Sequence, residues 1–246
     1  MVPVLYERVG IADRRISPFS WRIRFALAHK EILPEVVPTR FADVEKIRTL
    51  SGQPLVPVLE HNGRVICGSW AIACYLEDNF QTAASLFGTG VGRGTTQFIS
   101  IWCDHVLLSP VRRVVVPDFL ACLDPGDRAY FRASREAAFG APLEVIAAER
   151  PRFLRAFLDC LAPLQETLAR QSFVSGEAPA YADYVVFSVF QFARIGWPMD
   201  ILPATRPFEA LRAWRVRMGD LFNGLAFRFG AHPSLENQES VQINCG

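Results

Sequence analysis

The chain lacks the patterns that would place it in a membrane, on a nucleic acid or around a metal ion. No apolar run in its 246 residues approaches the roughly 20 residues that cross a bilayer. A formal net charge of +1 argues against a dedicated nucleic-acid surface. The four histidines show no i, i+4 pairing, so no metal site is expected. We therefore expect neither a membrane nor a nucleic acid as partner.

Cysteine is sparse and scattered. The six cysteines form no CxxC pair, and their spacing predicts neither a disulfide framework nor a zinc site. The N-terminal residues include several charges and no uninterrupted apolar core, so we expect no secretory signal. Together these absences favour a protein of the reducing cytoplasm.

Apolar and aromatic residues are plentiful. Half of the residues are hydrophobic and 12% are aromatic, with 19 phenylalanines. This composition excludes an intrinsically disordered chain, and the length suits two modest domains or one large one. The most apolar stretch, 184–193, is closed off by Asp183 and Arg194 and is predicted to be a buried helix.

The first 80 residues predict a small α/β domain with a mixed sheet. Strand and helix patterns alternate, and an Asn62-Gly63 pair marks a hairpin turn. The predicted elements are a strand at 3–9, a helix from Ser17, a strand at 32–38, a helix at 41–50, a hairpin over 55–69 and a helix at 69–80 with Ser69 as its N-cap. This order is typical of a single mixed sheet covered by helices.

Pro57 falls inside the third predicted strand, where a proline removes a backbone donor. Two explanations stay open. A cis Val56–Pro57 bond would turn the Val56 backbone toward a ligand, whereas a trans proline would suit an edge strand.

The composition changes after residue 81. The glycine-rich stretch 88–96 lacks the Lys-Ser/Thr ending of a phosphate loop and follows a helix, so it is predicted to be a linker. Helical patterns then dominate, with long segments predicted at 94–122, 126–139, 151–171, 181–195 and 207–223. The predicted organisation is a domain at 1–82, a linker at 83–92, an all-helical domain at 93–230 and an irregular polar tail at 231–246.

The stretch ISPFSWRIRFALAHK (16–30) places a serine and a proline at the start of an apolar-periodic helix. Ser17 is a suitable N-cap, and Pro18 suits the first turn. From these residues alone, a plain helix cap and an anion site at the positive helix end both remain open, because both use the same hydroxyl.

Four motifs in sequence order resemble the glutathione transferase superfamily. SPFSW occupies the place of the thioredoxin-type CxxC, LVPVL resembles the cis-proline turn, GSWAIACYL resembles the γ-glutamyl-binding turn, and APAYADYVVF resembles the buried capping motif of the helical domain. The resemblance covers most of the chain. It implies a thioredoxin-like α/β N-terminal domain followed by an all-α C-terminal domain. SPFSWRIRFALAHK, GSWAIACYLEDNF and DLFNGL (220–225) further resemble the lignin β-etherase branch and its fungal etherase-related class.

The resemblance implies glutathione as co-substrate, no metal, and a cytoplasmic homodimer with a role in detoxification. Ser17 would donate a hydrogen bond to the glutathione sulfur, with Ser20 as the alternative donor. Ser69 would bind the γ-glutamyl carboxylate, and the Val56 backbone would pair with the cysteinyl unit. Gln53 or Arg40 would reach the glycyl carboxylate, although solvated-surface roles stay equally open. The implied glutathione-binding set is Ser17, Phe19, Ser20, Gln53, Val56, Pro57, Gly68 and Ser69.

Two positions depart from the family pattern. Gly68 stands where an acidic residue commonly helps hold the glutathione amino group. Ala180 replaces the usual polar N-cap, although Asp183 can still reach back to the first-turn backbone.

The electrophile pocket is expected between the domains, and the abundance of phenylalanine favours an aromatic substrate. Its candidate residues are Phe19, Trp21, Trp102, His105, Tyr184 and Phe187. Arg112 and Arg113 are interpreted as a solvated helix face rather than an anion site.

The expected activity is attack of the glutathione thiolate on an aromatic electrophile, with β-aryl ether cleavage as the finer expectation. The alternatives are non-catalytic binding of hydrophobic aromatic compounds and, more weakly, removal of glutathione from conjugates, which normally prefers cysteine at position 17.

Overall fold

A four-stranded mixed sheet organises the N-terminal part of the chain. The computed structural model describes residues 1–81, 83–88, 92–203 and 207–234. The strands are β1 (Val4–Arg8), β2 (Glu35–Thr39), β3 (Val58–His61) and β4 (Arg64–Cys67), in the spatial order β2-β1-β3-β4. β1 runs parallel to β2, and β3 runs antiparallel to both β1 and β4. Leu5 of β1 lies opposite Leu59 of β3, and both are fully buried beneath the helices.

Helices cover the sheet and form the rest of the described chain. The α-helices are α1 (Pro18–His29), α2 (Val44–Ser51), α3 (Ser69–Asn79), α4 (Gly92–Trp102), α5 (Leu108–Val115), α6 (Pro125–Phe139), α7 (Leu143–Ala148), α8 (Arg150–Asp159), α9 (Ala162–Leu168), α10 (Tyr181–Gly196) and α11 (Glu209–Gly224). This arrangement confirms the predicted thioredoxin-like and all-helical parts. Among the helices described, none is long and apolar enough to cross a membrane.

The central helix α10 is apolar on every face, and a helix of that kind is stable only when it is surrounded by protein. All of its residues except Arg194 are buried, as the sequence predicted for 184–193. Phe25 of α1 stacks on Tyr184 of α10 with ring centroids 5.4 Å apart. α10 therefore fixes the position of α1 across the domain boundary.

Asp183 anchors the start of α10 in the manner that the sequence predicted. Its carboxylate accepts from the Ala180 backbone N–H at 3.2 Å and from the Trp214 indole N–H at 2.9 Å. It also accepts from the amides of Val174 and Ser175, at 2.7 and 3.1 Å. The side chain thus replaces the missing polar cap at position 180 and ties α11 to α10.

Two local predictions around β3 and α3 are corrected. Pro57 lies just before β3, the Val56–Pro57 bond is cis, and β3 is an interior strand, so the edge-strand explanation is wrong. The N-cap of α3 is Gly68 rather than Ser69. Gly68 has φ +84°, a conformation that glycine adopts without a side-chain clash.

The helical domain is more interrupted than the periodicity predicted. The predicted helix 94–122 is divided by a π-helical segment at Cys103–Leu107 and ends in a 3₁₀ segment at Val116–Cys122. The predicted helix 151–171 breaks between α8 and α9, near Pro163, whose ring cannot continue the hydrogen-bond ladder. α7 was not predicted.

The glycine-rich stretch 88–96 is only partly a linker, because residues 92–96 form the first turn of α4. Residues 82 and 89–91 of the predicted first domain and linker lie outside the described residues, as do 235–246 of the predicted tail. The predicted domain limits stay predictions.

Candidate active site

Ser17 caps α1 with its side chain. Its Oγ accepts a hydrogen bond from the Ser20 backbone N–H at 3.2 Å, and the residue is 9% exposed. Within the described part of the chain, the Ser17 hydroxyl donates its own hydrogen to no acceptor. The first-turn amides of α1 add partial positive charge at the same place. This combination suits a bound anion that accepts from the hydroxyl.

Ser20 lies one turn further along α1 and is 1% exposed. Its Oγ has no hydrogen-bond partner among the described residues. The back-bond to the helix backbone, which is the usual state of a serine inside a helix, is therefore absent. Ser20 remains the alternative hydroxyl for the sulfur.

The loop before β3 presents unused backbone groups. No hydrogen bond within the described ranges uses the Val56 amide or carbonyl. Pro57 is buried, and its carbonyl accepts from the Gly68 amide at 3.1 Å. The Val56 backbone is therefore available to an extended peptide, which is what pairing with a cysteinyl unit requires.

Gln53 is occupied in holding this same loop. Its amide group donates to Ser51 Oγ and to the Leu55 carbonyl, and its carbonyl oxygen accepts from the Leu55 amide at 2.6 Å. The side chain must release some of these bonds before it can bind a carboxylate. Its role in the structure is to shape the loop that carries Val56.

Arg40, the other candidate for the glycyl carboxylate, is engaged across the domain boundary. Its guanidinium pairs with Asp124 at 2.6 Å and with Asp127 at 3.3 Å. Asp127 is 1% exposed and also accepts from the Ala42 amide at 2.9 Å. These contacts fasten the loop after β2 to α6.

Ser69 opens α3 and is 8% exposed. Its carbonyl accepts a 2.9 Å hydrogen bond from the Tyr181 hydroxyl, which comes from the first residue of α10. Burial raises the pKa of Tyr181, so the phenol stays a donor. The helical domain thus fixes the start of α3, where Gly68 and Ser69 sit. Sequence reasoning did not assign Tyr181 a role, although it lies inside the quoted motif APAYADYVVF.

Phe19 is half-buried in the first turn of α1 and lies against two arginines. The Arg22 guanidinium is 4.7 Å from its ring centroid, and the Arg112 guanidinium is 5.6 Å from it. Phe19 therefore contacts the helical part of the chain through Arg112, two residues after Ser17. Its role as a wall of the electrophile pocket stays a prediction.

Three of the other predicted pocket residues belong to the core instead. Trp21 is fully buried and donates to the Arg15 carbonyl at 2.7 Å. Tyr184 stacks on Phe25, and Phe187 packs edge-on against Phe25 and Trp214. The rings of Trp21 and Tyr184 are fully buried against other aromatic rings, so they are unavailable as walls of an open pocket. Phe187 is also buried, but its edge lines a separate groove together with Phe190 and Val216. Periodicity alone does not distinguish core rings from pocket rings.

The remaining two candidates lie around the π-helical segment. Trp102 is half-buried against the core, and His105 is exposed. Between them, Asp104 binds Arg22 of α1 at 2.5 Å. Arg22 is 1% exposed and also donates to Ser188 of α10 at 3.1 Å. This partly buried ion pair, which sequence reasoning missed, joins α1 and the π-helical segment, and the Ser188 contact adds α10.

Arg112 and Arg113 are not one solvated face. Arg112 is half-buried against Phe19, and burial lowers the pKa of its guanidinium. Arg113 points elsewhere, since it lies 5.4 Å from the Phe139 ring and 5.5 Å from the Phe153 ring. The interpretation of both residues as one solvated helix face is therefore wrong for Arg112.

Over the residues that the structure describes, no cluster of three or more metal-ligating side chains is found.

Comparison with family models gives two matches. Residues 16–79 match the model of the glutathione S-transferase N-terminal domain, and residues 95–203 match that of the C-terminal domain. A probable glutathione S-transferase from Solanum tuberosum is 30% identical over 101 residues, which are 40% of this chain and 45% of that protein. The chain thus spans less than half the length of this curated relative.

Solved structures share the fold at low sequence identity. A glutathione transferase from Phanerochaete chrysosporium has a TM-score of 0.72 and 21% identity, covering 98% of this chain and 97% of that one. A glutathione S-transferase from Ceriporiopsis subvermispora, solved in complex with glutathione, has a TM-score of 0.70 and 19% identity, covering 99% of each chain.

Proposed function

This chain belongs to the glutathione S-transferase family, and from that membership we propose that Ser17 activates the thiol of bound glutathione for attack on an aromatic electrophile. One observation carries the proposal. The Ser17 hydroxyl lies at the positive end of α1, accepts from the Ser20 amide, and keeps its hydrogen available for a thiolate.

The energetic demand on this site is modest. A free thiol has a pKa of about 8.5, so only about 3% of it is thiolate at pH 7. Lowering that pKa by about two units requires roughly 2.7 kcal/mol of preferential stabilisation of the anion. A charge-assisted hydrogen bond together with a helix N-terminus supplies energy of this size.

Serine rather than cysteine at this position favours transfer over thiol–disulfide exchange. A serine hydroxyl cannot form the mixed disulfide through which a cysteine would react.

The proposed reaction begins when the thiol of glutathione loses its proton. Its sulfur then forms a bond to the electrophilic carbon. In the finer proposal, the bond from that carbon to an aryloxy oxygen breaks, and the aryloxide leaves with the bonding electrons. The aryloxide then takes up a proton. The products are a thioether and a phenol. A neighbouring ketone makes the carbon more electrophilic.

The test is a direct assay of the purified protein with glutathione. One substrate is a ketone-activated β-aryl ether, and phenol release is measured. The other is a general electrophile, 1-chloro-2,4-dinitrobenzene, and thioether formation is measured. Activity on the ether supports the finer proposal, whereas activity on the second substrate alone supports a transferase of another specificity. Inactivity on both contradicts the proposal.

An apolar groove favours a second candidate function, non-catalytic binding of hydrophobic aromatic compounds. The groove has a volume of about 340 Å³ and lies between α1, the segment before β2 and the C-terminal end of the described chain. Leu27, Ile32, Phe222 and Phe229 are among its lining residues. Calorimetry distinguishes the two functions, because a binding protein would take up hydrophobic aromatics without detectable binding of glutathione.

The expected homodimer has a candidate surface on α4. Phe98 and Ile101 lie one turn apart and are 69% and 54% exposed, which is unusual for large apolar side chains on one helix face. A Phe98→Glu substitution should shift the protein to a monomer in sedimentation analysis. An unchanged dimer would place the interface elsewhere, and a monomeric wild type would contradict the expectation.

A further inference from the structure

A second groove, which we call the α10–α11 groove, lies on the helical part of the chain between α10, α11 and the segments that follow them. Its volume is about 200 Å³. The lining includes three aromatic rings and three guanidinium groups, those of Phe187, Phe190, Phe227, Arg194, Arg212 and Arg215. Within the described ranges, no lining residue comes from α1, α3 or the loop before β3, so the groove is separate from the proposed thiolate site.

The apolar part of the groove combines buried rings with exposed side chains. Phe187 and Phe190 of α10 are buried and form its base. Val216 of α11 and Phe227 stand beside them and are 62% and 56% exposed. Large apolar side chains that stay exposed at the edge of a groove are typical of a ligand site. A drug-sized ligand usually occupies about 300–1,000 Å³, so this groove suits a compound of one or two rings.

Cationic groups lie directly on these rings. The Arg215 guanidinium is 5.2 Å from the centroid of the Phe190 ring, and the Arg194 guanidinium is 5.4 Å from that of Phe227. A guanidinium held over a ring keeps the N–H donors of its own edge for hydrogen bonds. Apolar surface and charged donors are therefore adjacent within one groove.

The charges that line the groove are unequal in number. Asp200 is the one acidic side chain among the described lining residues, against three arginines. It pairs with Arg215 at 2.8 Å and is 52% exposed. An exposed ion pair of this kind contributes little stability, so another anion can replace Asp200 at Arg215 with a small loss. Arg212 donates to the Pro203 carbonyl at 2.5 Å, which holds its side chain next to the Asp200 segment. An anion is the complement of this lining.

We propose that the α10–α11 groove binds a small aromatic carboxylate. The ring of the ligand lies against Phe190 and Val216, and its carboxylate accepts hydrogen bonds from the Arg215 guanidinium. A guanidinium binds a carboxylate through two parallel N–H···O bonds, so the charged group is preferred over an uncharged one of the same shape. This binding requires neither glutathione nor the apolar groove lined by Leu27 and Phe229.

Calorimetry with two probes of similar shape and different charge tests the proposal. The probes are 2-naphthoate and 2-naphthamide, each titrated into the whole chain without glutathione. We expect wild type to bind 2-naphthoate with a Kd of about 0.1–1 mM, as is reasonable for a ligand of this size. The amide should bind at least about fivefold more weakly. Equal binding of the two probes, or no binding of 2-naphthoate, would overturn the proposal.

The Arg215→Gln variant should weaken the binding of 2-naphthoate about tenfold, the loss typical of a hydrogen bond between charged groups. Arg217→Gln is the matched control from the same helix, because its guanidinium lies 5.8 Å from the Phe173 ring and donates to the Ser172 carbonyl at 2.8 Å. It should change the Kd by no more than about twofold. An equal loss in both variants would mean that the probe responds to net charge alone. That result, or an unchanged Kd in Arg215→Gln, would overturn the proposal.

Asp200→Asn provides a gain that a misfolded variant cannot imitate. It removes the charge that competes with the ligand for Arg215, and its side-chain oxygen can still accept from the Leu202 amide. We expect this variant to bind 2-naphthoate about threefold more tightly than wild type does. Unchanged or weaker binding would show that Arg215 does not hold the carboxylate and would overturn the proposal. Failure of the glutathione assays would leave all these measurements unaffected, so the two proposals fail separately.

Discussion

The Ser20 backbone amide donates to Ser17 Oγ over 3.2 Å, so one hydroxyl caps α1 as an acceptor and keeps its hydrogen for a second partner. The plain cap and the anion site, which the sequence left as alternatives, are therefore compatible. The helix end orients the hydroxyl, and under the proposed function the hydroxyl would donate its hydrogen to a bound sulfur.

Replacing Ser17 by alanine should lower kcat about 10- to 100-fold with little change in glutathione affinity. Under the proposed function this hydroxyl contacts the ionised sulfur, whereas Ser69 and the Val56 backbone hold the peptide. Losing one hydrogen bond to a charged group costs roughly 1.5–3 kcal/mol. Steady-state kinetics over a range of pH should also show the rate profile moved to higher pH.

Ser20→Ala is the matched control, because its hydroxyl lies one turn further along α1 and is unpartnered within the described residues. It should leave the profile in place. A shift in Ser20→Ala without one in Ser17→Ala would assign the role to Ser20.

The sequence predicted the fold well because its elements depend on local patterns, whereas the glutathione-binding roles of its motifs stay predictions. A capped helix, a proline before a strand and a glycine–serine turn are each encoded within a few neighbouring residues. The contacts of Arg22 with Asp104 and of Tyr181 with Ser69 join residues separated by 82 and 112 positions, and no local pattern reveals them. The same limit explains why Trp21 and Tyr184 were expected in the pocket, since an aromatic ring on a helix gives no sign of what covers it.

Replacing Tyr181 by phenylalanine should raise the KM for glutathione about fivefold and leave kcat unchanged. The substitution removes the donor to the Ser69 carbonyl and loosens the start of α3, at a cost of about 1 kcal/mol. Tyr184→Phe is the control from the same helix, because its hydroxyl contacts His29 at 2.6 Å instead. A similar rise in KM for both variants would contradict a specific role of Tyr181 in positioning Ser69.

Asp183→Ala should destabilise the protein by about 3–5 kcal/mol, because it leaves several buried donors without an acceptor. Asp183→Asn keeps one acceptor oxygen and should cost less. Asp78→Ala removes an exposed carboxylate and should change the free energy of unfolding by no more than about 0.5 kcal/mol. Urea denaturation measures all three, and equal stability of the two Asp183 variants would contradict the capping role.

His29 should make the folded protein sensitive to acid. Burial, assisted by the charge of Lys30, lowers its pKa in the folded state. In the unfolded chain His29 takes up a proton near pH 6.5, whereas in the folded chain it takes up this proton only at a lower pH. The free energy of unfolding therefore falls as the pH drops, by up to about 1.4 kcal/mol per pH unit from this group.

His29→Gln removes this proton uptake and retains a polar partner for Tyr184. We expect the loss of stability between about pH 7.5 and pH 5.5 to be smaller in the variant than in wild type. Urea denaturation at the two pH values measures the difference. An equal loss in both proteins would show that His29 takes up its proton at the same pH in the folded and unfolded states.

The pKa of the thiol in bound glutathione tests the central claim most directly. It is measured by titrating the ultraviolet absorbance of the thiolate in the complex with wild type and with Ser17→Ala. We predict a pKa about two units below the free value of roughly 8.5 in wild type, and a rise of about one unit or more in the variant. A wild-type thiol that titrates like free glutathione, or an identical pKa in both proteins, would contradict the account.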